Sequence, residues 1–172
     1  MGALFATPIA PGPTDVELAR LSSKLWYEVS SLHSQRRGSV STWRFTFQQE
    51  AGELRLEKFR DGESLGGAVA LIPNYAYVNS YPSAHEPLPA AFQRVEVHEQ
   101  DQPLWILQVD QHYTAVLACE PDTKDYYVLA GINAVALSDL HNFLEDCYNA
   151  KTLDKQTALE LYAEAQHRDT AR

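Results

Sequence analysis

The sequence predicts an all-β fold with added helices: an eight-stranded antiparallel up-and-down β-barrel, one helix packed outside it, and a further helical tail. Three observations lead there. Residues 104–131, LWILQVDQHYTAVLACEPDTKDYYVLAG, read as three short strands joined by a QH turn and a polar PDTKD turn, a meander of antiparallel neighbours. Upstream, short segments alternate apolar and polar residues between turn signals, which brings the expected strand number to about eight. After Ile132 the apolar spacing becomes helical. One or two hairpins do not bury their apolar faces in water, so the meander must continue into a larger sheet, and closure removes that sheet's edges.

In chain order, residues 1–14 are a Pro-rich arm, expected to be disordered rather than folded over the barrel opening. Residues 15–150 are expected to hold the barrel and its helix, and residues 151–172 a helical extension. TDVELARLSS reads as a short helical turn, with Thr14 or Asp15 as N-cap, leading into the strand KLWYEVSSLH; RRGS then reverses the chain. In SVSTWRFTFQQ, Trp43, Phe45 and Phe47 share one face while Thr42, Arg44 and Thr46 share the other. LRLEKF repeats the alternation with Leu54 and Leu56 opposite Arg55 and Glu57. DGESLGG reads as a linker to the strand AVALIPNYAYV, where Pro73 calls for an edge, bulge or bend. SYPSAHEPLPA, with three prolines, is a loop at an open end, and FQRVEVHE is a strand with Val95 and Val97 opposite Arg94 and Glu96.

The helix LSDLHNFLEDCYN carries Leu137, Leu140, Phe143, Leu144 and Cys147 at helical spacing, with Ser138 as its expected N-cap and Asp139 favourable in the first turn. A second helical pattern, KTLDKQTALELYAEAQH, places Leu153, Leu159 and Leu161 as its apolar residues.

Composition narrows the function classes. The chain is 45% hydrophobic and 22% charged, with 14 Lys plus Arg against 23 Asp plus Glu, a formal net charge of -9. No basic cluster offsets that field, so no nucleic-acid or anionic-membrane partner is expected. No apolar run reaches the roughly 18 to 20 residues of a membrane-spanning helix. The start MGALFATPIAPGPTD has no basic region and meets Pro8, Pro11 and Pro13 early, a poor signal peptide. A cytoplasmic location is expected for the chain as written, or a secreted or periplasmic one if a leader was removed. Cys119 and Cys147 are too few for a disulfide framework and have no metal-ligand spacing; they read as buried free thiols or as one bridge from a strand to the following helix. His33, His85, His98, His112, His141 and His167 are scattered, with no HExxH, no GxSxG and no phosphate-binding glycine loop. No metal, no cofactor and no nameable catalytic residue follow.

Two stretches carry a family resemblance. VELARLSSKLWYEVSSL holds Trp26, Tyr27 and Glu28 after a short helical turn, and VDQHYTAVLACEPDTKDYYVLA holds Asp110, Tyr113 and a last strand from Tyr126 to Leu129. Over about residues 15–150 the chain resembles the lipocalins of the calycin superfamily, nearest in pattern to the bacterial lipocalin and apolipoprotein D branch. Two positions depart from that pattern. Lys24 stands where the family has a glycine, and Gly131 stands where it has an arginine stacked over the tryptophan. Arg20 and Arg37 are alternative cations for Trp26, which is expected to close the narrow end of the barrel; a purely apolar closure is the other reading.

The resemblance implies a small hydrophobic ligand, such as a lipid, fatty acid, tetrapyrrole or terpenoid-like molecule, held in the barrel in a carrier or storage role. The alternative is a cofactor-independent cyclase or isomerase that folds a polyene-type intermediate inside the barrel. Alternation assigns the lining to Trp43, Phe45 and Phe47, to Leu54 and Leu56, to Val95 and Val97, and to Trp105 and Leu107. Tyr75, Tyr77, Tyr113 and Tyr127 add aromatic groups with a hydroxyl. The same pattern would also fill a solid core.

Overall fold

Among the described residues the alternating segments resolve into seven strands: β1 (Leu25–Ser31), β2 (Ser41–Gln48), β3 (Glu53–Arg60), β4 (Glu63–Leu71), β5 (Gln102–Val109), β6 (Ala115–Glu120) and β7 (Asp125–Ala130). The structure is a computed structural model and describes residues 19–33, 41–48, 50, 53–71, 102–110, 112–120 and 123–170. The seven strands form a closed barrel in chain order. Six neighbouring pairs are antiparallel, including β7 with β1, and β4 with β5 is parallel, from Ala68↔Gln102 to Leu71↔Trp105. Among the described residues, the expected eight-stranded, wholly antiparallel barrel is therefore corrected to a closed barrel of seven strands with mixed pairing. Strand direction alternates around an antiparallel ring, and an odd number of strands closes only with a parallel pair. The segment FQRVEVHE, Pro73, Tyr75, Tyr77, Val95 and Val97 lie outside the described residues.

The stretch expected to be a linker is instead the start of β4. Asp61 (φ 53°) and Gly62 (φ 84°) both occupy the left-handed region and make a two-residue turn between Arg60 and Glu63. Asp-Gly is the sequence that suits such a turn, because both central residues need positive φ.

Each barrel wall has two faces, and in this fold both are buried over β5 to β7. Inside, Trp43, Phe45, Leu54, Leu56, Leu104, Ile106, Val116, Ala118, Tyr127 and Leu129 form one core around Trp26. Outside, Trp105, Leu107, Leu117, Cys119, Tyr126 and Val128 pack beneath the helices α1 (Leu137–Asn149) and α2 (Lys155–Thr170). Trp105 and Leu107, expected to line the interior, thus belong to the helix-facing core, and Leu104 and Ile106 take the inward positions. In the run LWIL all four residues are apolar, so alternation does not say which pair faces in.

The helix α1 buries Leu140, Phe143, Leu144 and Cys147. Its N-cap position is Ala136, with no side-chain cap, and Ser138 lies within the first turn rather than capping it. At the start of α2 the cap is Asp154, whose carboxylate accepts the Thr157 N–H at 3.3 Å. Leu153, Ala158, Leu161 and Ala165 face the core while Leu159 is 60% exposed, contrary to expectation. Cys119 and Cys147 are buried and free. Burial pushes the Cys119 thiol up to about 12 and raises that of Cys147 as well.

Trp26 is fully buried at the end of the barrel where the chain enters β1. Its indole N–H donates to the Leu21 carbonyl at 2.8 Å, and its ring meets the edge of Phe45 at 6.3 Å. The cation over it is Lys24, at 5.5 Å from the ring, and the Lys24 ammonium also donates to the Tyr113 carbonyl at 2.9 Å. Arg20 covers Tyr113 instead, at 4.0 Å, and Arg37 lies outside the described residues. A Cβ at residue 131 would meet the Lys24 stem at 3.1 Å, so Gly131 leaves the lysine its path. Asp110 fixes the adjoining turn by accepting the N–H groups of Thr114 (2.5 Å) and Ala115 (2.8 Å) and the Thr114 hydroxyl.

Trp26→Ala should cost about 3 to 5 kcal/mol, measured by urea unfolding, because a large buried ring and its indole bond are lost together; an unchanged midpoint would contradict the packing described. A second outcome concerns the buried Asp125, which accepts the N–H groups of Leu32 (2.9 Å) and His33 (3.2 Å). Burial raises its pKa above the usual carboxylate value, with nearby His33 opposing. Stability from the protonated form is then present below the unfolded-state pKa and lost as pH rises through the folded one. Asp125→Asn keeps the acceptor, so its melting temperature should gain on the unsubstituted chain between acid and neutral pH; a shift in the other direction would refute the assignment.

Candidate functional site

The strand register sets which residues reach the end of the barrel remote from Trp26. Trp43 lies opposite Lys58, Phe45 opposite Leu56, and Phe47 opposite Leu54, so the inner face of β3 runs Leu54, Leu56, Lys58 away from the Trp26 end. Glu120 and Tyr127 arrive there from the facing ends of β6 and β7, and Ala68 and Leu104 from β4 and β5. Together with Leu65, Gly66 and Gly67 at the rim, these side chains bound a hollow of about 440 Å³.

Its walls are aromatic and aliphatic, with a polar side. The Trp43 and Tyr127 rings lie 4.8 Å apart, and the Lys58 ammonium stands 5.3 Å from one and 5.1 Å from the other. The Tyr127 hydroxyl donates to Glu120 at 3.4 Å. Burial, with the neighbouring charges of Asp125 and Glu120, holds the phenol far above its usual value, so it stays protonated. The Trp43 indole N–H is buried and has no hydrogen-bond partner among the described residues.

Lys58 leads to a second layer of charge. Glu28 shares the inward side of β1 with Trp26, its side chain is 1% exposed, and its carboxylate lies 3.5 Å from Lys58. Pairing of β1 with β2 ends at Tyr27↔Thr42, and there Arg168 from α2 reaches the Glu28 carboxylate at 3.0 Å and its carbonyl at 3.2 Å. Arg168 also bonds Glu164 at 2.5 Å, and Glu164 in turn accepts the Ser31 N–H at 2.6 Å. The Ser30 hydroxyl donates to the Leu161 carbonyl at 2.7 Å, so the last turns of α2 are tied to β1 beside its bulge.

Of the residues expected to line a cavity, Trp43, Leu56 and Tyr127 do so. Phe45 and Leu54 pack deeper in the same interior cluster, with Phe47 and Tyr113 partly buried against it. Lys58, Glu120, Ala68 and Leu104 were not expected in the wall. Lys58 was legible from the alternation after Leu54 and Leu56; Glu120 became a wall residue only through its register with Asp125. A separate open hollow of about 420 Å³ lies between α1 and the outer wall, where Asp110, Asp139 and Asp146 border Leu140 and Phe143. Among the described residues, no three His, Cys, Asp or Glu side chains gather in a group able to hold a metal ion, and no helix is long and apolar enough to cross a membrane.

No family model matches the chain, and no curated protein matches it. The closed barrel is compatible with a calycin or lipocalin-like fold.

Arg168→Met should destabilise the protein by about 3 kcal/mol, since it removes the cation that stands 3.0 Å from a buried carboxylate. Adding Glu28→Gln to that variant should recover part of the loss, a non-additivity read from denaturant midpoints. Strict additivity of the two substitutions would mean that the pair is not coupled.

Proposed function

We propose that this barrel binds a small, mainly apolar molecule at the end remote from Trp26, in a carrier or storage role of the lipocalin type. The observation that supports the reading is the hollow of about 440 Å³ walled by Trp43, Leu56, Ala68, Leu104 and Tyr127. Small-molecule sites are concave, mostly apolar, and commonly about 300 to 1,000 Å³ in volume, with a few placed polar groups. A lipid chain, a terpenoid or a compact ring system would exchange water contact for these walls, at about 25 cal/mol per Å² of apolar surface removed from solvent.

The test is saturable binding of a neutral naphthylamine probe, followed by its fluorescence and by quenching of the tryptophans. Ala68→Phe places a ring in the hollow and should weaken binding at least ~10-fold while leaving the far-ultraviolet spectrum unchanged. Undiminished binding by that variant would move the site elsewhere. Recovery of a bound polyene chemically unchanged after incubation would favour the carrier over a cyclase.

A further inference from the structure

We infer that the ligand of this hollow meets its wall with acceptor oxygens, those of a carbonyl, ester or carboxylate group, and not with an ammonium. The inference deepens the reading of the hollow as a ligand site and rests on it. The net charge of -9, with Glu120 in the wall and Glu28 beside Lys58, would by itself suggest a cationic ligand. Both acids are engaged within the protein. Glu28 takes Arg168 at 3.0 Å and faces Lys58 at 3.5 Å, and Glu120 accepts from the Tyr127 hydroxyl at 3.4 Å. What the wall has to spare is hydrogen-bond donors.

Strand register brings those donors together. Trp43 and Lys58 are directly opposite one another on β2 and β3, so their side chains leave the same face, and both line the hollow. Trp43 is only 2% exposed, and its indole N–H, which can only donate, has no acceptor among the described residues. The Lys58 ammonium stands 5.3 Å from the Trp43 ring and 5.1 Å from that of Tyr127, and ring faces take up its charge without accepting a conventional N–H bond. Its contact with Glu28, at 3.5 Å, exceeds the ordinary length of a charge-assisted bond, about 2.7 to 2.9 Å. The ammonium therefore keeps donors to offer. One step further along the same face, about 7 Å away, Ser41 lies opposite Arg60. The Ser41 hydroxyl and the Arg60 Nε are also buried without a hydrogen-bond partner among the described residues. Four donors thus follow one another on two successive cross-strand pairs. Native proteins seldom leave buried polar groups unmet, and a donor without an acceptor loses its hydration for nothing in return. A ligand oxygen supplies what this strip lacks. An ammonium, which only donates, would meet donors with donors and bring its charge up to Lys58 and Arg60.

The test uses 2-undecanone labelled with carbon-13 at its carbonyl, followed by infrared difference spectroscopy and by displacement of the naphthylamine probe. The carbonyl stretch of the bound ketone should fall below its value in hexane. Lys58→Met and Trp43→Phe, each checked for an unchanged far-ultraviolet spectrum, should return the stretch toward that value and weaken the ketone at least ~5-fold. Decanoate and decylammonium, with similar apolar bodies, separate the sources of the oxygen. Decanoate binding more tightly than the ketone assigns a carboxylate, and the reverse order a neutral carbonyl. Decylammonium should be the weakest of the three and should gain affinity in Lys58→Met. A carbonyl stretch at its hexane value, or decylammonium as the best competitor, would overturn the inference while leaving the binding function intact. Failure of the probe itself to bind would remove both.

Discussion

Closure is the constraint on which the rest of this structure depends. Every strand in a closed barrel has a hydrogen-bonded neighbour on each side, so no edge is left to pair with another chain. With seven strands the ring of directions does not alternate evenly, and the parallel β4–β5 pair absorbs the mismatch. Closure also makes an inside and an outside of each strand. Where α1 and α2 cover the outer wall, β5 to β7 must be apolar on both faces; β2 and β3, which lack that cover, keep an alternating sequence.

The two ends of the barrel are finished by different chemistry. At the Trp26 end the ring is sealed from below by Phe45 and from the side by the Leu21 carbonyl, with Lys24 above it. Compared with the lipocalin pattern that the sequence resembles, the cation and the glycine have exchanged strands. The positive group comes from the entry to β1 and the gap that admits it from Gly131 after β7, which places the Lys24 ammonium 5.5 Å from the Trp26 ring. Lys24 and Gly131 are sterically linked, because a side chain at 131 would occupy the path of the lysine stem.

At the other end a buried acid, Glu28, organises the wall. Isolated, it would be strongly destabilising, and it is tolerated because Arg168 and Lys58 approach it from the helix and from β3. The last turns of α2 are thereby part of the barrel's polar structure as well as of its outer packing, and the hollow inherits its electrostatics from a helix some 140 residues away in sequence.

The amino-acid sequence by itself determined the β-barrel class, the position of Trp26 as a closing residue, the aromatic face of β2, and the helices that follow the last strand. The class, the aromatic face and the helices follow from the period of apolar residues, and the expectation for Trp26 came from the resemblance of the opening stretch to the lipocalin pattern. Even the Asp61-Gly62 hairpin was present as a turn signal, obscured because ESLGG that follows has too few apolar residues to look like a strand. Tertiary structure alone decided the rest. Seven strands instead of eight and the parallel pair depend on which distant segments meet. The outward turn of Trp105 and Leu107 depends on where the helices land, since an all-apolar run has no phase of its own. The pairing of Glu28 with Arg168 joins residues whose neighbours in sequence give no hint of each other; only the folded chain brings their charges within 3.0 Å.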